Sequence, residues 1–233
     1  VVGSGGVIFA RADNNEIQSV QDIRGKIISA GSIMDLGAGQ SQALVMSTEG
    51  LSFMADSKQV QLVGSDHHKI ITDVLEGRAD VGFVSTHTLE QLMHKGKINR
   101  TGIIKIINQV PSPAFDNKEY PFASSTRIYP SWPFFSLPHV DEQVIRAVQE
   151  SLAAITSTHK AATTGGYDSW HLPFSYSAVR TMQAQLGLLR YDQKNYSMRC
   201  LRPDEWYEAV QCPANSYKHP RTSVGNSCEL HGL

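Results

Sequence analysis

The stretch Gly64-Ser-Asp-His-His-Lys-Ile-Ile-Thr-Asp-Val-Leu-Glu-Gly-Arg-Ala-Asp-Val-Gly-Phe-Val-Ser-Thr86 decides the fold. A polar loop leads into an amphipathic helix with Ile70, Ile71, Val74 and Leu75 at helical spacing, and Gly77 closes it. Asp80–Val84 then reads as a short buried strand. Thr86 is the expected cap of the next helix, which carries Leu89, Leu92 and Met93 and stops near Gly96. Two helix N-termini, at Ser65–His68 and at Ser85–Thr86, therefore open on one edge of a sheet. Unpaired N–H groups and partial positive charge at helix starts suit an anionic or polar ligand. In open α/β sheets, ligands sit at that carboxyl edge.

Working outward, Val7–Ala10 and Lys26–Ala30 read as strands, with a short helical turn between them capped by Ser19 and Asp22 and stopped by Gly25. The loop Gly31–Gly39 precedes a helix from Gln40 to Glu49 that ends at Gly50, and Val60–Gly64 and Gly102–Ile107 supply two more strands. Such alternation predicts an α/β fold with a mostly parallel sheet covered by helices. Residues 109–140 hold six of the ten prolines and read as extended crossing segments. Beyond them, Asp141 caps a helix with Val144, Ile145, Val148, Leu152 and Ile155 on one face. Ser175–Leu188 offers another helix with Val179, Met182 and Leu186 inward.

A chain of 233 residues suffices for one large or two modest domains with a real core. Its formal net charge is −1 with no basic patch, which argues against nucleic acid as the main partner. Apolar runs such as Val7–Ala10 and Gly102–Ile107 are too short to cross a bilayer. Val1–Gly6 carries no signal-peptide features, and the chain opens on strand-like residues, so a fragment or processed product is expected. Cys200, Cys212 and Cys228 all fall in the last 34 residues. That clustering favours a disulfide-stapled appendix in an oxidising compartment, with free thiols as the alternative. The odd count leaves one thiol unpaired or bonded outside the chain.

Residues 5–190 resemble the phosphate/phosphonate-type substrate-binding proteins of ABC transporters, above all the version used as the extracytoplasmic sensor of histidine kinases. The resemblance is carried by Val20–Lys26, by Gly64–Val84, by Ser125–Phe134 with Leu137-Pro-His139, and by Gly165–Trp170 ahead of Pro173 and Tyr176. It implies an α/β, type II periplasmic-binding-protein-like fold, with two lobes joined by crossing strands and the first lobe incomplete in this chain. The implied divisions are 1–12, a crossing strand from the first lobe; 13–115, the second α/β lobe; 116–195, the return segment and C-terminal helices of the first lobe; and 196–233, a cysteine-containing tail. Val7–Ala10 and Ala123–Ile128 are the implied crossing strands. The tail, from Cys212-Pro-Ala-Asn-Ser-Tyr217 to Cys228, resembles the start of a cysteine-rich repeat of the ephrin-receptor or tumour-necrosis-factor-receptor kind, although Asn215 replaces the usual glycine. That second resemblance implies a disulfide between Cys212 and Cys228 and a receptor ectodomain on a stalk.

The candidate ligand residues are Gly37, Ala38, Gly39, Gln40, His67, Ser85 and Thr86. Gly37–Gln40 lies where the phosphonate binders place hydroxyl residues at a helix start; those hydroxyls are missing here and Asp35 brings negative charge. A plain helix-start turn is the competing reading. His67 matches the family's histidine at the start of the second-lobe helix and is expected to donate to an oxyanion. A metal site from Asp66, His67, His68 and His87 is the weaker alternative, since adjacent histidines diverge on a helix. Tyr129 and Trp132 are expected to pack the hinge, Arg127 to pair with a buried carboxylate, and Tyr167 and Trp170 to cover the first-lobe sheet.

These features point to an extracytoplasmic solute-binding or sensor domain, extracellular or periplasmic, that recognises a small anionic or polar solute and acts by lobe closure. The alternative is a non-catalytic structural subunit of a surface assembly built on a degenerate binding fold. No nucleophile, phosphate-loop or zincin motif supports an enzyme, and no cofactor is implied. Partners beyond the solute would be other protein subunits or a membrane-anchored signalling region outside this chain.

Overall fold

The computed structural model describes residues 3–96, 98 and 102–192, together with the strand backbones Ser197–Cys200, Ser216–Lys218 and Cys228–Leu230. Its centre is a five-stranded sheet. The strands are β2 (Gly6–Arg11), β3 (Ile27–Ala30), β4 (Gln59–Leu62), β5 (Val81–Ser85) and β6 (Ile104–Ile107), in the order β4-β3-β5-β2-β6. β3 runs parallel to both β4 and β5, whereas β2 is antiparallel to β5 and β6. The sheet is therefore mixed, a correction to the mostly parallel sheet expected. A continuous apolar run reports burial on both faces and carries no information on strand direction.

Helices cover both faces. Val7 and Phe9 of β2 join Ile70, Ile71, Val74, Leu89 and Leu92 on one side; Ile8 and Ala10 join Ile17, Ile23, Met46, Leu51 and Phe53 on the other. Ile8, Phe9, Ile28 and Phe83 have no solvent exposure, and full burial of each such side chain is worth about 1.5–3 kcal/mol. Phe9 lies opposite Gly82, and a Cβ there would run into its ring.

Each parallel strand feeds a helix: α1 (Ser41–Thr48) after β3, α2 (His67–Leu75) after β4 and α3 (Thr88–His94) after β5. Gly50, Gly77 and Gly96 follow them at positive φ, the left-handed exit that glycine takes without steric cost. The 3-10 turn Val20–Ile23 opens as expected, with the Asp22 carboxylate accepting from the N–H and hydroxyl of Ser19.

Two chain segments meet at the mouth of this sheet. β1 (Gly3–Ser4) pairs antiparallel with β9 (Tyr129–Pro130). Between them Ser124, Ser125 and Thr126 are buried and bonded to β2: Gly6 N–H donates to Thr126 Oγ1 at 2.8 Å, and Ile8 N–H donates to Ser125 Oγ at 2.8 Å. Ser125 Oγ donates in turn to the Ile107 carbonyl at 2.7 Å. These hydroxyls satisfy backbone groups that irregular crossing chain would otherwise leave buried and unpaired. A hairpin of β7 (Ala114–Phe115) and β8 (Lys118–Glu119) turns through Asp116 and Asn117, both at positive φ.

The remaining helices are α4 (Glu142–Ala153), α5 (Lys160–Gly165) and α6 (Ser177–Gln185). Met182 of α6 is buried as expected, and the Asp141 carboxylate caps α4 by accepting from the Gln143 N–H. The apolar face of α4 is only partly covered: Ile145, Val148 and Leu152 are half-buried and none of its residues is fully buried. Trp132, expected to pack a hinge, is 94% exposed, whereas Tyr129 is buried at 1%. Among the described residues Arg127 pairs with no carboxylate; it lies over the Tyr129 ring, 5.5 Å from its centroid, and ring and cation attract electrostatically at that range. Trp170 packs edge-on against Tyr167 and Phe134 rather than covering a sheet.

β10 (Leu189–Asp192) pairs with β11 (Ser197–Cys200), and β12 (Ser216–Lys218) with β13 (Cys228–Leu230). Cys212 lies outside the described residues, so the implied Cys212–Cys228 bridge lies outside them too. Among the described residues, no helix is long and apolar enough to cross a membrane.

Candidate functional site

Because β3, β4 and β5 are mutually parallel, their carboxyl ends share one edge, and the loops into α1, α2 and α3 converge there. Asp66 caps α2, its carboxylate accepting from the Lys69 N–H at 3.1 Å, so His67 stands in the first turn. From that position the His67 Nε2 lies 3.5 Å from Asp35 Oδ2 in the β3 loop, and its Nδ1 lies 3.5 Å from Thr88 Oγ1 at the start of α3. One imidazole thus links all three loops. Of these contacts only Thr88 escaped the sequence reading; a hydroxyl in the first turn of the helix after a sheet strand was its signal.

The β3 loop departs from expectation in a decisive way. Asp35 Oδ1 accepts from the N–H groups of Gly37 at 2.8 Å and Ala38 at 3.0 Å, and the Asp35 carbonyl accepts from the Gln40 N–H at 2.9 Å. Of the donors expected to be unpaired for a ligand, Gly37 and Ala38 are taken by the chain's own carboxylate and Gln40 by a backbone carbonyl. Gly37, Ala38, Gly39 and Gln40 are all buried. A Cβ on Gly37 would stand 2.5 Å from Ser85 Oγ, so the close approach of the two loops requires glycine there. Asp–x–Gly ahead of a helix is a capping pattern, and that signal was available in the sequence.

Burial alone would push the Asp35 carboxyl up, but the hydrogen bond to His67 and the N–H groups of Ala38 and Gly37 outweigh it and hold the group below its ordinary value. Asp35 is therefore ionised at neutral pH, with its side chain 30% exposed.

Ser85 ends β5, half-buried, against Gly37. Thr86 corrects the expectation placed on it. It does not cap α3, whose N-cap is His87 at a left-handed φ of 65°. Thr86 is fully buried; its Oγ1 accepts from the Gly5 N–H at 3.1 Å and lies 2.7 Å from the Tyr120 hydroxyl, which donates to the Gly3 carbonyl at 3.2 Å. Thr86 thus joins β5 to the crossing chain beside the site. The set Asp66, His67, His68 and His87 does not converge: His67 faces Asp35, and the His87 ring packs against Phe122 with centroids 5.8 Å apart.

One more group secures the site from below. Asp73 of α2 has no solvent exposure and receives Lys69 Nζ at 2.8 Å, Arg78 Nε at 2.8 Å and Ser29 Oγ at 3.2 Å. It ties α2, and with it His67, to β3.

Residues 3–172 match the family described as the phosphonate ABC transporter periplasmic substrate-binding protein. The chain belongs to that family. No curated protein sequence matches it. Among solved structures it is similar to a binding protein component of an ABC phosphonate transporter from Pseudomonas aeruginosa, at 11% identity and a TM-score of 0.54 over 80% of this chain and 58% of that one. A Xanthomonas citri protein bound to ATP gives 17% identity and a TM-score of 0.54 over 79% of this chain and 65% of that one. PhnD1 from Prochlorococcus marinus, in complex with methylphosphonate, gives 14% and 0.53 over 79% and 67%. At these identities the likeness is one of fold. The chain spans 58% to 67% of the length of these relatives.

The family consists of periplasmic substrate-binding proteins, not enzymes, in keeping with the extracytoplasmic, non-catalytic reading of the sequence. The match stops at residue 172, and neither it nor the fold supports the histidine-kinase sensor branch, a disulfide or a cysteine-rich stalk.

Proposed function

We propose that this chain forms the α/β lobe and hinge of an extracytoplasmic substrate-binding protein, taking a small polar solute at the carboxyl edge of its sheet and closing on it. The convergence of three loops on His67, directly beside the crossing segments, is the observation that carries this reading. Solute contacts fall to His67, Thr88, Asp35 and the Ser85 edge, while Thr86 and Ser124–Thr126 keep the hinge in register. Closure is driven by the solute's higher affinity for the closed state. Delivery to a transporter permease and signalling through a membrane-anchored partner would both use that closure; family membership favours delivery.

The test is a thermal-shift panel of small polar solutes on the full chain. A solute at a hundredfold excess over its Kd stabilises by about 2.7 kcal/mol, roughly 5–10 °C for a protein of this size. His67→Ala should abolish that shift; losing its contacts to Asp35 and Thr88 should lower the unliganded Tm by only about 2–4 °C. A panel without any hit, or a shift retained in His67→Ala, refutes the assignment. The structural-subunit reading is favoured by one observation, the exposure of the apolar side chains of Trp132, Phe134, Phe135 and Leu172.

A further inference from the structure

We infer that α6 is a releasable strap: a short helix that fastens the crossing chain to α1 and comes away without unfolding the sheet. The inference goes beyond the proposed function, and its test needs no solute. At the near end, the approach to α6 is fixed to the crossing chain. Phe174 meets Phe115 of β7 edge-on, with ring centroids 5.0 Å apart. Phe115 in turn packs on β1, where a Cβ on Gly3 would stand 3.0 Å from its ring. The Tyr176 hydroxyl donates to the carbonyl of Ser131, the residue that follows β9.

At the far end, α6 lies against α1. Gln183 Nε2 donates to Gln40 Oε1 at 3.4 Å. The helix leaves through Gly187 at a φ of 68°. There the Gly187 N–H donates to the Ala184 carbonyl at 3.0 Å, and the Leu188 N–H donates to the Gln183 carbonyl at 2.8 Å. Such a pair of bonds ends a helix by turning the chain back on its last turn. It delivers Leu188, 2% exposed, into the core cluster that holds Ile8, Met46 and Phe83, with Leu186 packed against that cluster. Met182 is buried as well. One nine-residue helix therefore bridges the crossing chain and the sheet layer.

These fastenings are of a kind that can open. A helix this short is marginal in water by itself, so the order of α6 depends on its docking. Its N-cap, Tyr176, makes no side-chain capping bond, and Thr181, Ala184 and Gln185 face solvent. The bond to Gln40 is long for an N–H···O contact. By contrast, Ser124, Ser125 and Thr126 knit the crossing chain to β2 through its backbone. The core cluster also draws Ile8, Ile28, Phe83 and Ile107 from four strands and does not depend on Leu188 for its continuity. Elements with few buried contacts open locally before the whole fold does. Release of α6 frees the crossing chain from α1 while the sheet stays paired.

Trypsin reads the release, because Arg180 stands exposed in the middle of α6 while Lys69 lies in α2 of the sheet layer. The full chain is digested under native conditions, and mass spectrometry times the cut after each of the two residues. Expected in wild type is a cut after Arg180 at least tenfold faster than after Lys69, with a cooperative urea transition retained by the chain cut at Arg180. A protease reads the population of the open form, so Leu188→Ala should speed the Arg180 cut at least tenfold and Tyr176→Phe at least twofold. Equal wild-type rates at Arg180 and Lys69 would mean that α6 opens only with the whole fold, and overturn the inference. Arg180 rates unchanged in the folded variants overturn it too. Where Leu188→Ala does not fold, the wild-type comparison and Tyr176→Phe decide. This failure differs from failure of the functional reading, which is the absence of any stabilising solute for the wild-type chain.

Discussion

Replacing Asp73 with asparagine removes one negative charge from a position with 0% side-chain exposure, where three side chains converge. Lys69 Nζ reaches its two oxygens at 2.9 and 2.8 Å, Arg78 Nε donates at 2.8 Å and Ser29 Oγ at 3.2 Å. An amide of the same shape keeps one acceptor for Arg78 but turns an NH2 toward Lys69. Breaking a wholly buried ion pair costs about 3–5 kcal/mol. Here the cations are half exposed, at 50% and 49%, and rehydrate when released, so that figure is an upper bound. One lost charge-assisted bond, at about 1.5–3 kcal/mol, is the better measure, giving roughly 2 kcal/mol for Asp73→Asn. That corresponds to a Tm lowered by about 4–8 °C.

Urea denaturation followed by circular dichroism measures the effect, with an unchanged m-value showing that stability alone has moved. Lys69→Met removes only the half-exposed partner and should cost under about 1 kcal/mol. In the double variant the two effects should couple, because the residues share a bond. Asp73 also fastens α2 to β3, so Asp73→Asn should weaken whatever binding His67 supports. An Asp73→Asn protein within about 0.5 kcal/mol of wild type would refute the account of this carboxylate as a buried anchor.

Thr86→Val should lower stability by about 1–3 kcal/mol, because the buried Gly5 N–H loses its acceptor and the Tyr120 hydroxyl a partner; a neutral urea midpoint would show that the hinge does not need this hydroxyl. Acid should act through Asp35 and Asp73. Burial pushes both carboxyls up, but His67 with two N–H groups, and Lys69 with Arg78 and Ser29, hold them below their ordinary value of 3.8. A group depressed in the folded state contributes stability that is complete above the unfolded value and lost as pH falls through the folded one. Urea midpoints should therefore be insensitive to these groups from neutrality down to about pH 5 and fall below about pH 4, with a shallower fall in Asp73→Asn. A midpoint that rises on acidification would contradict this.

Much of the fold was legible in the order of residues, for reasons that are local. Ile70, Ile71 and Val74 at helical spacing, and Gly77 after them, define α2 whatever surrounds it. The apolar run of β2 announces burial on both faces, and the structure supplies the two helical layers that cover it. The strand direction of β2 was not legible, because side-chain alternation is the same in parallel and antiparallel sheets and only pairing with β5 and β6 decides. How deeply α4 is buried was not legible either. Its amphipathic pattern places Ile145, Val148 and Leu152 on one face, but how far that face is covered depends on a neighbour that the pattern does not name.

At the site the division follows distance along the chain. Sequence alone determined that His67 begins a helix at the sheet edge and that Asp35 precedes a glycine-rich helix start, since caps and stops act within a few residues. Tertiary structure decided what those groups do. Thr86 became a buried tertiary contact because its partners Gly5 and Tyr120 lie 81 and 34 residues away. His67 met Asp35 only because parallel strands bring their carboxyl ends together. Hydrogen bonds act over a few ångströms of space, so the meeting of groups at this edge belongs to the folded chain and not to any single segment of it.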